Sequence, residues 1–360
     1  MLCPEYSIHS IKWLNALANR GFEVHSCFCK GQNDNTVLLD SRVISHALPI
    51  KAPLGYYLNA IFLRMIVNRI KPDIIHIHRA SSYATMARLA GVRCDILSIW
   101  GSDVYEFPYK KNRCKRILVN NLRYASCLAS TSKVMADQAR LFLFDQNVHI
   151  HVTPFGVDLK SFKPAKIEHQ GMVVGTVKTL SEKYGIDVAI KAFASVVKQL
   201  YETGYGSIAD EITYRIYGRG PLRSQLQELI ESIDMKDKIS LCGYIQNNEV
   251  PRILNSFDVF LLASNEESFG VSAVEAMACG LPVVATKAPG FLEVISDGIT
   301  GLLVGIGDVD CMSKALYKLI INEGKRKKLG EKGREKVVAC YDWENNVDQM
   351  IQLYKGVAKG

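Results

Sequence analysis

Short apolar runs alternate with helix-periodic segments along almost all of this 360-residue chain. DIIHIH at 73–78, DILSIW at 95–100 and the run at 283–285 read as buried strands. A strand covered on both faces needs helices on each side, and a parallel neighbour needs a crossover between the two. The pattern therefore predicts an α/β fold built from parallel, doubly wound sheets. In the first half, 8–20 forms an amphipathic helix ended by Gly21, 22–28 a strand and 56–70 a mainly apolar helix closed by Lys71-Pro72. Two further strands are expected at 125–130 and 149–152. TPFGVDLKSFKP at 153–164, with two prolines and a glycine, reads as a linker. The second half restarts with a strand at 172–177, then a helix at 186–200, strands at 212–217, 239–242 and 259–263, and a last helix at 343–354. The length admits two domains. They are expected at 1–160 and 161–340, with 341–360 a helix crossing back to the first. Only Met1-Leu2-Cys3 precede Pro4, so the opening strand is either very short or continues upstream in a longer reading frame; the second reading is favoured.

No run reaches the ~18 apolar residues of a membrane span, and MLCPEYS lacks the form of a secretory signal. The ten cysteines form no C-x-x-C and read as reduced thiols of a cytoplasmic protein. Charge is uneven. Residues 1–165 hold 21 Lys and Arg against 11 Asp and Glu, whereas the remainder holds 23 against 25. The densest basic run is Lys110-Lys111-Asn112-Arg113-Cys114-Lys115-Arg116. It reads either as a solvated helix face or as an attraction for anionic headgroups or a phosphate-bearing acceptor. Nucleic acid is not expected, because no stacking aromatics or binding motif accompany these charges.

The most informative stretch is ESFGVSAVEAMACGLPVVA at 267–285. Glu267 and Glu275 lie eight positions apart. A helix is expected to open at Ser268-Phe269-Gly270, with Glu275 two turns in, and to end at Gly280-Leu281-Pro282. A helix start offers unpaired N–H groups and a positive dipole end to an anion. Carboxylates on each side accept from hydroxyls. Phosphate in the middle and sugar hydroxyls at the flanks describe a nucleotide-sugar.

Four segments together, TPFGVD at 153–158, GTVKTLSEKYGID at 175–187, YGRGP at 217–221 and the 267–285 stretch, resemble in content and order the retaining glycosyltransferases of family 4. That resemblance covers nearly the whole chain and is strongest from His151 onward. It implies the GT-B fold: two Rossmann-like doubly wound domains facing a cleft, the first binding the acceptor and the second the nucleotide-sugar. It places Glu267 on donor-sugar hydroxyls and Glu275 on the ribose; the backbone N–H groups of Phe269 and Gly270, at the helix start, are expected to point toward the sugar or diphosphate. It implies phosphate-binding cations in the loop after 172–177, where Lys178 and Lys183 stand, but this loop is two residues longer than the family pattern and leaves their division of labour open. Gly218 and Gly220 end another strand, either approaching the ligand or forming a tight turn, and Tyr244 and Ile245 resemble a segment near the base. No cofactor is implied, the nucleotide-sugar being a substrate.

On the acceptor side, His78 ends one strand and Asp103 follows another, at the end where open α/β sheets bind ligands. Trp100-Gly101-Ser102-Asp103 carries tryptophan where the family's H-G-S-D-like segment has histidine; Trp100 reads as a stacking platform for a sugar or as core. His76 is expected on the opposite sheet face from His78 and structural, and His9 on the ligand side if the opening strand is present. Asp308-Val309-Asp310 matches a metal-binding D-x-D elsewhere but here reads as a helix cap, so no metal is expected. The expected partners are a nucleotide diphosphate sugar, a glycan or polyprenyl-diphosphate-linked acceptor, and peripherally the anionic inner face of the cytoplasmic membrane. Rival readings are a non-catalytic nucleotide-sugar-binding subunit, a phosphorylase-type enzyme and a basic nucleic-acid binder.

Overall fold

The computed structural model describes residues 1–4, 7–30, 39–145 and 147–358. The chain divides into two compact units, Met1–Phe155 with Glu344–Gly360, and Gly156–Trp343. In the first unit β1 (His25–Cys29) pairs with β2 (Ile44–Leu48), and β3 (His76–His78), β4 (Ile96–Ile99), β5 (Cys127–Ser130) and β6 (Ile150–Val152) follow in order, all pairings parallel. Leu2 joins the two parts by bridging Cys27 on one side and Ile77 on the other. Its N–H donates to His76 at 2.9 Å and its carbonyl accepts from His78 at 3.0 Å. The opening-strand position is thus held by a single bridge residue. β2 was not expected from sequence; only Leu48 of its five residues is buried, so it carries little apolar signal.

The C-terminal helix, Trp343–Val357, lies mostly in the first unit. Arg20 pairs with Glu344 at 2.8 Å and Asp348 at 2.9 Å, and the Tyr354 hydroxyl meets His76 Nδ1 at 2.7 Å inside the unit.

The second unit is one parallel six-stranded sheet. Its strands are β7 (Val173–Val177), β8 (Thr213–Tyr217), β9 (Ile239–Gly243), β10 (Val259–Leu262), β11 (Val283–Thr286) and β12 (Leu302–Val304), in the order β12-β11-β10-β7-β8-β9. The chain runs outward from β7 to β9, returns to β10 on the other side of β7, and runs outward again. Helices Ile186–Glu202 and Val309–Ile320 pack together over the core. Thr176 pins three strands at once: its hydroxyl donates to the Leu261 carbonyl at 2.6 Å, so the Tyr214 hydroxyl, 2.7 Å away, donates to it. Asp308 caps its helix as the sequence predicts, accepting from the Cys311 N–H at 2.8 Å.

Candidate active site

Reversal of strand order makes the gap between the C-terminal ends of β7 and β10 the topological switch point of the second unit, where open α/β sheets bind ligands. Lys178 directly follows β7, and the loop after β10 carries Glu267. Their side chains meet there, Lys178 Nζ to Glu267 Oε2, at 2.6 Å, with only 13% and 11% of each side chain exposed. The ammonium also lies 4.5 Å from the centre of the Tyr184 ring. Lys183 sits on the short helical turn Glu182–Tyr184, more exposed, with Glu266 3.9 Å away. Its carbonyl accepts from the Asn265 N–H at 2.8 Å and so docks the β7 loop onto the β10 loop.

The helix here runs Val271–Ala278, three residues later than expected, so Glu275 lies one turn in rather than two. Gly270 is the reason. It takes the left-handed conformation at φ 100°, and its carbonyl accepts the first helical bonds, from Ala273 at 2.9 Å and Val274 at 3.1 Å. A side chain at 270 would also meet the Phe291 ring at 2.9 Å. The cap residue itself, Gly270, brings no side chain to the helix start. Phe269 is buried, its ring edge-on to Tyr341 at 5.6 Å, so any ligand contact from it comes through the backbone. Glu275 is half-buried. Burial, then the Glu275 charge, push the Cys279 thiol up to about 12. Ser264 and Ser272, which sequence reasoning passed over, have buried hydroxyls in this same region without a hydrogen-bond partner among the described residues.

Gly218 and Gly220 owe their identity to packing. A side chain at 218 would fall 1.8 Å from the Lys178 carbonyl, and one at 220 would fall 2.2 Å from that of Leu180. The loops after β7 and β8 are pressed together, with Leu180 N–H donating to Arg219 at 3.1 Å. This places Lys178 sterically. Tyr244 is exposed with the Arg219 guanidinium 4.7 Å over its ring, and Ile245 is half-buried beside it.

In the first unit the strand order also reverses, between Leu2 and β3. His78 and His9 gather at that point with Trp100. The His9 ring stacks on Phe155 at 4.1 Å, and Trp100 lies 5.4 Å from His78 and 5.8 Å from Phe155. The Arg79 guanidinium sits 5.3 Å over Trp100. Trp100 is only 8% exposed, so packing within the unit claims its ring rather than an open stacking platform. Burial first, then Lys12, lower His9 to about 4, and burial above all lowers His78 to about 3; both rings are neutral near pH 7. The Nδ1 of His78 has no hydrogen-bond partner among the described residues.

Two expectations need correction. His76 does not face away from His78: residues two apart on a strand share a face, and the rings lie 4.5 Å apart. His76 is nonetheless structural, bonded to Tyr354 and Ser98. Asp103 does not reach toward an acceptor. It is fully buried, accepting from the N–H groups of Ala80 at 2.8 Å and Trp100 at 3.0 Å and from the Ser81 hydroxyl at 2.5 Å. It fixes the turn that carries Arg79. Phe155, Tyr184 and Arg79 were absent from the sequence-predicted site, although the first two stand inside quoted motifs.

Two family models match the chain, Glycosyl transferases group 1 over residues 158–336 and Glycosyl transferase 4-like over residues 1–132. The chain belongs to the group 1 glycosyltransferases, and its fold is GT-B. It is 27% identical over 272 residues to mannosylfructose-phosphate synthase of Agrobacterium fabrum, covering 71% of this chain and 58% of that protein. It is 24% identical over 368 residues to the UDP-Gal:alpha-D-GlcNAc-diphosphoundecaprenol alpha-1,3-galactosyltransferase of Escherichia coli, covering 96% and 92%. Anabaena HepE, solved in complex with UDP and glucose, superposes with a TM-score of 0.79 at 17% identity, covering 99% of this chain and 98% of that one. The chain spans 49% to 58% of the length of the first curated relatives it matches.

Proposed function

We propose that the protein is a retaining glycosyltransferase. It moves a sugar from a nucleotide diphosphate donor to a hydroxyl of a glycan or polyprenyl-diphosphate-linked glycan, in bacterial surface polysaccharide assembly at the cytoplasmic face of the membrane. The observation that carries this is the 2.6 Å pair of Lys178 and Glu267 at the β7–β10 switch point, beside a helix start capped by Gly270. Lys178 supplies positive charge where the diphosphate gains negative charge as the glycosidic bond breaks. Glu267 accepts from donor-sugar hydroxyls, and Glu275 from the ribose. Backbone N–H groups at the helix start meet the diphosphate. The departing phosphate oxygen takes the acceptor proton on the same face, so the protein needs no dedicated base there, and neither buried Asp103 nor neutral His78 is asked to be one. The lipid-linked acceptor in the name of the E. coli relative and the UDP and glucose bound to HepE support this choice of substrates.

The test is a thermal-shift screen of nucleotide-sugars, followed by transfer with the best donor onto lipid-linked glycans and assignment of the product anomer. At least one uridine or guanosine diphosphate sugar should raise the melting temperature, because a ligand selective for the folded state stabilises it. The product should keep the donor's anomeric configuration. Inversion would sink the retaining assignment. Binding without transfer or hydrolysis would favour the non-catalytic subunit.

A further inference from the structure

The segment from Leu54 to Ile70 is apolar in a way the core does not use. Helices Gly55–Leu58 and Ala60–Ile70 form one near-continuous rod, because Asn59 carries the ladder across the joint: its N–H donates to Gly55 at 3.1 Å and its carbonyl accepts from Leu63 at 2.9 Å. Only Gly55, Asn59 and Leu63, four residues apart in succession, are buried. Asn59 ties the rod down, its side chain bonding both the N–H and the carbonyl of Ile50, at 3.1 and 2.8 Å. Leu54, Tyr57, Leu58, Ile61, Phe62 and Met65 line the opposite face at helical spacing, and Leu54, Ile61 and Met65 are 65%, 67% and 66% exposed. This is a contiguous apolar stripe on solvent rather than scattered exposure. Its charge is one-sided. Residues 41–72 contain five Lys and Arg and no Asp or Glu. Arg64 flanks the stripe and Arg69 continues it one turn on, both exposed and long enough to snorkel. The neighbouring helices extend the basic character: the rod packs on Tyr83–Ala90 and that helix on Asn112–Tyr124, where Lys115, Arg116 and Arg123 are exposed.

We propose that the Leu54–Met65 face is a membrane-docking element that inserts its apolar side chains at the headgroup boundary of an anionic bilayer, with Arg64 and Arg69 on lipid phosphates. An apolar stripe rimmed by cations alone fits an anionic interface. The proposal deepens the reading of an enzyme with a lipid-linked acceptor and rests on it. The test is cosedimentation of the full chain with vesicles of phosphatidylcholine, with and without phosphatidylglycerol. The parent should bind the phosphatidylglycerol vesicles and be weakened by salt. Leu58→Gln/Ile61→Gln/Met65→Gln and, separately, Arg64→Gln/Arg69→Gln should each lower that binding about tenfold or more. Melting temperature and the nucleotide-sugar thermal shift, measured without vesicles, should stay at parent values. The proposal is overturned if the parent ignores both vesicles, if the apolar triple variant binds as the parent does, or if the parent sediments as a dimer that the triple variant abolishes, since the occupant would then be a second copy. Absence of any nucleotide-sugar shift alongside normal vesicle binding would overturn the enzymatic reading and leave this surface standing.

Discussion

At the residue scale the Lys178–Glu267 pair carries the most consequence. Two charged groups almost out of water depend on each other, and removing one leaves the other buried and uncompensated. Lys178→Ala is therefore expected to lower stability by about 2–3 kcal/mol. Adding Glu267→Gln should recover most of that loss, because the stranded carboxylate becomes neutral. Guanidinium chloride midpoints of the two single variants and the double variant check this; equal midpoints for Lys178→Ala and the double variant would refute it. Function separates the same residues differently. Glu267→Gln should cut transfer about 10²-fold or more while leaving UDP affinity near the parent value, as expected of an interaction made mainly in the transition state. Glu275→Ala should act the other way, shrinking the nucleotide-induced thermal shift. If Glu267→Gln weakened UDP binding and Glu275→Ala did not, the two roles would have to be exchanged.

At the element scale, the site depends on a helix start and two loops held by close backbone packing. Gly270→Ala forces an L side chain into the left-handed region and against Phe291, and should cost about 1–2 kcal/mol from the backbone alone. It should also reduce the donor-induced shift, because the helix start moves with the cap. An unchanged shift in a folded Gly270→Ala protein would show that the helix start does not hold the diphosphate. These elements were legible in the sequence to very different degrees. Strands such as 259–262 and 283–286 were plain because burial on both faces makes them apolar throughout. β2 was not, because four of its five residues are exposed or half-buried, and neither was the one-residue bridge at Leu2. The two glutamates were found from their spacing and their motif. The stack of His9 on Phe155, the Tyr184 ring beside Lys178 and the inward turn of Asp103 come from contacts between distant segments or from burial, and local pattern says nothing of either.

At the scale of the whole molecule, titration divides the two units. Of the eight histidines, only His169 belongs to the unit Gly156–Trp343; the other seven lie in the first. His76 and His78 are fully buried and held neutral, His76 well below 6.5 and His78 at about 3, with burial the leading cause in both. His9 falls to about 4, also chiefly by burial. Each of these folded-state values is depressed, so below 6.5 the unfolded chain takes up protons that the folded unit refuses. The stability these groups allow is complete above about pH 6.5 and is lost as pH falls toward 4, at up to about 1.4 kcal/mol per pH unit for each histidine. The first unit should therefore melt earlier as acidity rises while the second, judged by its histidines, holds. Calorimetry between pH 7 and pH 4.5 should show one transition splitting into two, with the earlier one moving down. His78→Leu, which removes one of these protonation sites and leaves the His76 bonds to Tyr354 and Ser98 in place, should flatten the acid slope of that earlier transition. Two transitions that moved together with pH, or a His78→Leu protein as acid-sensitive as the parent, would show that the buried histidines of the first unit do not set its acid stability.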